Sequence, residues 1–154
     1  MNVKKTVAIA ALILTAVAVG FAADPNVGTW KLDEAKSKIP AGAAKNITVV
    51  YTAAGDSYKC VVDGVDAAGK PAHNEWTGKF DGKDYPVTGD PFSDTRSYTP
   101  VGDRTLDITI KKDGQVVLTG QMTLSDKGKS RRTTTKGKDA SGQDISSSAV
   151  YEKQ

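Results

Sequence analysis

Residues 105–124 read "TLDITIKKDGQVVLTGQMTL". In the first half Leu106, Ile108 and Ile110 alternate with Thr105, Asp107 and Thr109. That is the period-two pattern of a strand with one buried face. In the second half Val116, Leu118, Met122 and Leu124 share a face, and "KDG" between the halves carries turn chemistry. Two strands joined by so short a loop run antiparallel. Matching the apolar faces predicts a three-residue loop, Lys112 to Gly114, with a glycine bulge. It pairs Ile110 with Val116 and Ile108 with Leu118, whereas a two-residue loop pairs Ile110 with Val117 and breaks the match.

The same punctuation recurs outward along the chain. Turn glycines stand at Gly55, Gly69, Gly82, Gly102, Gly114, Gly128 and Gly142, mostly 12 to 14 residues apart, and Gly89 of "TGDP" divides the one long step. Between them lie "KNITVVYTA", "SYKCVVDGV", "HNEWTGKF", "DTRSYTPV", "SRRTTTKG" and "DISSSAVYEK", all strand-like, with "VGTWKL" at the start. "KDYPVTG" is a short strand weakened by Pro86, fit for an edge or a gap. Only "DEAKSKIPAG" looks locally helical, for a turn or two, with Asp33 as its cap. About ten short antiparallel strands in one domain require two sheets or closure, and closure removes the edges. The expected fold is all-β, a meander closing into a barrel.

The chain opens "MNVKKTVAIAALILTAVAVGFAADP". Two lysines, an apolar run and small residues are the layout of a secretory signal, here residues 1–22, leaving a domain over 23–154. An uncleaved anchor is the competing reading. The expected location is therefore exported, periplasmic or extracellular, with no membrane contact after cleavage. The net charge of +3 includes Lys4 and Lys5 and falls to about +1 without them, so nothing points to a nucleic-acid partner. A single cysteine, Cys60, allows no internal disulfide. Leu, Ile, Val and Phe make up about 17% of residues 23–154, a small core eked out with Thr, Ser and Ala.

Gly28-Thr29-Trp30-Lys31-Leu32 resembles the opening strand of lipocalins and fatty-acid-binding proteins, the calycin superfamily, and Val150-Tyr151-Glu152-Lys153 resembles the last strand of the fatty-acid-binding branch. The chain is also similar to small secreted bacterial proteins of unassigned function, in segments such as Asp81 to Pro91 and Lys111 to Val117. The resemblance implies a lipocalin-like barrel of about ten strands, with Trp30 closing one end under an arginine from a late strand. Two features depart from the fatty-acid-binding pattern. The position two before Tyr151, which holds the clamp arginine in that branch, is Ala149, and residues 33 to 45 are too few for its helix-turn-helix lid.

Candidate site residues follow from the faces. Trp76 and Phe80 share a face of "NEWTGKF", Tyr58 lies with Cys60 and Val62, and Leu118 and Met122 lie on the inward face of theirs. Arg131 and Arg132 point oppositely, and a two- or four-residue turn at "DKGK" sets Leu124 against Arg131 and sends Arg131 inward. A buried arginine needs a partner: the Trp30 ring, an acid, or an anionic ligand. Tyr151 is the second polar candidate. Cys60 reads as a small core residue. His73, the only histidine, sits beside Glu75 at a strand start and suggests no metal site. No catalytic constellation or cofactor motif is recognisable. The expected function is non-catalytic binding of a small apolar or amphipathic ligand by Tyr58, Trp76, Phe80, Leu118, Met122, Arg131 and Tyr151. A solid barrel serving as a structural or protein-interaction module of the envelope is the alternative, and an enzyme the third reading.

Overall fold

The computed structural model describes residues 24–139 and 141–154. The export signal expected over residues 1–22 lies outside them. Ten strands follow one another: β1 (Gly28–Lys38), β2 (Lys45–Ala54), β3 (Ser57–Val65), β4 (Pro71–Gly78), β5 (Tyr85–Thr88), β6 (Thr95–Gly102), β7 (Thr105–Lys112), β8 (Gln115–Leu124), β9 (Ser130–Lys138) and β10 (Asp144–Lys153). Each pairs antiparallel with its neighbour, and β1 pairs with both β2 and β10, so the meander closes into a barrel. Closure satisfies the backbone of every strand without leaving an open edge. The weakest stretch of wall is β5, where Pro86 removes a donor. Only two residue pairs join β5 to β4 and two join it to β6.

The β7–β8 hairpin differs from the expected register. Its loop has two residues, Asp113 and Gly114, with φ of 49° and 75°, the left-handed pair that matches the twist of a tight hairpin. Lys112 faces Gln115 and Lys111 faces Val116, but Ile110 then faces Leu118. Val117 is the extra residue of a bulge. The parity that a two-residue turn alone breaks is restored one step up the strand, so Ile110 and Leu118 still share the inner face. At the β8–β9 turn the register is the expected one, with Leu124 opposite Arg131.

The second difference lies in "DEAKSKIPAG". It is not helical: β1 runs on to Lys38, and its register against β10 jumps between Asp33 and Lys38, where Asp33 faces Val150 and Lys38 faces Ser148. Residues 34–37 therefore bulge out as four residues opposite the single Ala149. The Asp33 carboxylate accepts from the Lys36 backbone N–H at 3.1 Å, and the Ser37 hydroxyl donates to the Asp33 carbonyl at 2.6 Å. The first is the bond an N-cap makes at a helix start and the second is a hydroxyl back-bond four residues up the chain, which is why the segment has a helical signature. Residues 39–44 alone link β1 to β2.

The inner face is filled unevenly. Toward the end where β1 begins, Trp30, Tyr51, Trp76, Tyr98, Leu124 and Tyr151 are all buried. Tight packing there depends on Gly78. A Cβ at that position would stand 2.4 Å from Tyr85 Cγ and 2.6 Å from Trp76 Cζ2. Gly78→Ala is expected to destabilise the fold by about 1–3 kcal/mol through overpacking, read as a lower urea midpoint with an unchanged slope.

Candidate functional site

The closed end is organised around Arg131. Its guanidinium carbon lies 4.7 Å from the Trp30 ring centroid, 5.0 Å from Tyr151 and 5.2 Å from Tyr51. The side chain is 4% exposed. Alternation along β9 points it inward, opposite Leu124, and the strands beside it supply the rings. Trp30 comes from β1, Tyr51 from β2 and Tyr151 from β10. A desolvated cation over aromatic faces gains about 2 kcal/mol or more per favourable contact, which offsets part of the cost of burying it. Trp30 is wholly buried, and its indole N–H donates to the Asn26 carbonyl at 3.0 Å. The Lys153 ammonium lies 5.2 Å from the same ring. Trp30 is thus the sealed plug of this end.

Next to it is an aromatic stack. Phe80 lies just past β4 and stacks on Tyr58 at 4.1 Å, and its edge contacts reach Tyr98 at 5.3 Å and Tyr51 at 6.2 Å. Trp76 meets Tyr98 edge-on at 5.0 Å and donates its indole N–H to the Arg96 carbonyl at 3.0 Å. The hydroxyls of Tyr51 and Tyr98 share a hydrogen bond of 2.9 Å in the middle of the barrel.

Of the residues singled out from sequence, Tyr58, Trp76 and Phe80 form one stack, and Arg131 meets Tyr151. Met122 is buried in the same core cluster. Tyr58 stands at the margin. It borders a surface cleft of about 360 Å3 with Asp24, Val27 and Ser57, and its hydroxyl donates to the Asp24 carboxylate. Leu118 is apart from the rest, in the opposite half of the barrel, only half-buried. There Ile110 and Ile145 are also half-buried, and the other inward residues are small or polar. Asn74, Gly120, Thr133, Thr135 and Ser147 all retain partial exposure, so solvent enters from the end where β1 finishes. Thr135 and Ser147 bond to each other at 2.8 Å.

The residue that sequence reading missed is Arg96, on β6, 8% exposed. Its signal was present in "DTRSYTPV", where Arg96 shares the inward face with Tyr98. Among the described residues Arg96 Nη2 reaches Asn74 Oδ1 only at 3.5 Å, and its Nε has no partner. Arg131 Nε and Nη1 have none either. No acid among the described residues pairs with either guanidinium. The neighbouring acidic groups supply no charge. Burial pushes the Tyr51 hydroxyl well up, the Cys60 thiol up, and Tyr151 to about 12, so all three are neutral at neutral pH. The barrel interior therefore carries two guanidinium charges with no counter-charge among the described residues, and only Arg131 has aromatic faces to offset its own.

His73 is outside this interior. It is exposed, with Nδ1 2.7 Å from Asp63 and Nε2 3.4 Å from Glu75, and the Asp63 hydrogen bond above all raises its pKa. Asp66 in the loop between β3 and β4 accepts from the backbone N–H groups of Ala68 and Lys70, so its carboxylate serves the turn.

No family model and no curated protein matches the chain. The architecture alone defines the class: a closed ten-strand antiparallel barrel, consistent with a calycin or lipocalin-like fold.

The buried phenols predict an alkaline limit. Tyr51 and Tyr151 have folded pKa values above the ordinary value of about 10. A raised pKa contributes stability that is complete below that value and is lost as pH rises through about 12. The denaturation midpoint should fall across that window, and tyrosinate absorbance from these two residues should rise only with unfolding. Titration of all five tyrosines near pH 10 in folded protein would contradict the burial argument.

Proposed function

We propose that the protein is an exported barrel that binds a small, partly apolar molecule without transforming it. The observation carrying this reading is Arg96, buried with an unpartnered Nε in a barrel whose inward residues beyond the aromatic core keep partial exposure. A solid structural barrel gains nothing from a buried guanidinium that has neither an acid nor an aromatic face to offset it, since an apolar residue of similar volume is as good or better for stability. Partial exposure of the inward residues at that end supports the reading, since the Thr, Ser and Gly beside Ile110, Leu118 and Ile145 fill little of a ten-strand lumen. Export rests on the layout of residues 1–22. Cell fractionation with N-terminal sequencing of the recovered protein tests it, expecting a start at Ala23 or Asp24.

Binding is tested with a neutral fluorophore, N-phenyl-1-naphthylamine, added to lipid-stripped protein while tryptophan emission is followed. Saturable binding is expected. Thr135→Trp, which places a ring in the half-open lumen, should weaken it about tenfold or more while leaving the far-ultraviolet spectrum unchanged. An absence of saturable binding sinks the carrier reading and leaves the solid envelope module in its place.

A further inference from the structure

The two buried arginines are not equivalent. Arg131 is enclosed by three aromatic faces, which provide an electrostatic partner from within the protein. Among the described residues Arg96 has no aromatic face within cation–π range, and its polar neighbours are neutral, the Asn74 amide at a marginal 3.5 Å and the Tyr98 hydroxyl. It also differs in what lies beside it. Following the paired residues round the wall from Arg96 leads to Ile110, then Leu118, then Gly137, then Ile145. Ile110, Leu118 and Ile145 are all half-buried. This belt is an aliphatic strip that runs from a buried cation through the part of the lumen that solvent reaches.

We propose that Arg96 is the anion-binding residue of the lumen, and that the ligand is an amphipathic organic anion. Its acidic head takes the free Nε–H of Arg96, and its apolar body lies along Ile110, Leu118 and Ile145 toward the open end. Arg131 is the structural cation of the closed end. The proposal rests on the carrier reading above and narrows it to one ligand class and one anchoring residue. A carboxylate, sulfonate or phosphate head all present the acceptor geometry that a guanidinium edge takes in charge-assisted hydrogen bonds. Asn74, half-buried beside Arg96, marks the flank from which the head is approached.

The test compares two probes of the same ring system, 1-anilinonaphthalene-8-sulfonate and uncharged N-phenyl-1-naphthylamine, on wild-type protein and on two variants. Wild type is expected to bind the sulfonate at least about tenfold more tightly, the worth of one charge-assisted hydrogen bond in a desolvated site. Arg96→Gln should erase that preference and leave the neutral probe within about twofold. Asn74→Asp supplies Arg96 with the carboxylate it lacks. It should also erase the preference while keeping the fold, so the proposal stays testable where Arg96→Gln does not fold. Equal binding of both probes by wild type overturns the proposal and leaves the carrier reading standing. So does a sulfonate preference that survives in Asn74→Asp. Binding of neither probe removes the carrier reading and this inference with it.

Discussion

The barrel depends on how one buried cation is accommodated. Arg131 on β9 projects into the closed end, where the rings it meets come from β10, β1 and β2. Those are the strands across which the first and last parts of the chain must join. Most hairpins in the meander are local and form their own register. The β1–β10 seam is the one pairing with no turn to guide it, and it carries a high loop-closure cost. A guanidinium held between Trp30, Tyr51 and Tyr151 places one directional contact at that seam. The Lys153 ammonium over Trp30, with its Nζ donating to the Pro25 carbonyl at 3.0 Å, ties the chain ends from the outside.

Once that end is sealed, the distribution of side-chain volume divides the lumen. Aromatic rings occupy the half near Trp30, and the Tyr51–Tyr98 hydrogen bond marks the middle. Beyond it the inward positions of β8, β9 and β10 are Gly120, Thr133, Thr135, Gly137 and Ser147, with Leu118 and Ile145 the only large apolar side chains among them. The low content of large apolar residues, which by composition borders on that of unstructured chains, is thus not spread evenly. A compact aromatic core at one end holds the fold, and the strands beyond it are held mainly by their hydrogen-bond ladders. The wall can then afford a thinly filled interior at the other end.

Much of this was legible in the chain. All ten strands could be found from period-two faces between glycine turns, because a barrel with one buried face writes its alternation into every strand. Leu124 opposite Arg131 followed from the same parity. What failed was anything that depends on a single inserted residue. "KKDGQVV" scores the same for a three-residue loop as for a two-residue turn with Val117 bulged, and only the positive φ at Asp113 distinguishes them. "DEAKSK" carries the Asp33 bond of a helix cap because this four-residue bulge uses the same kind of side-chain-to-backbone contact. Arg96 went unremarked for a different reason. Its inward direction was readable beside Tyr98, but whether an inward arginine is neutralised depends on residues far away in sequence. Asn74 rather than an acid faces it from across the short β5.

That missing acid separates the two guanidinium groups energetically. Burying a charge costs several kcal/mol even after the surroundings relax, and a partner must offset it. For Arg131 the offset is aromatic and permanent. For Arg96 the nearby Tyr51 phenol and Cys60 thiol are held neutral by the same burial that penalises the cation, so they can donate or accept hydrogen bonds but cannot balance charge. A stable fold with a marginal core has little reason to keep such a group, since a methionine or leucine on β6 would cover the same space without desolvation cost. The cost becomes useful only if the site is filled by something carrying the opposite charge. Binding then returns the free energy that folding leaves unspent, and this makes Arg96 the position at which stability and the proposed ligand affinity are coupled.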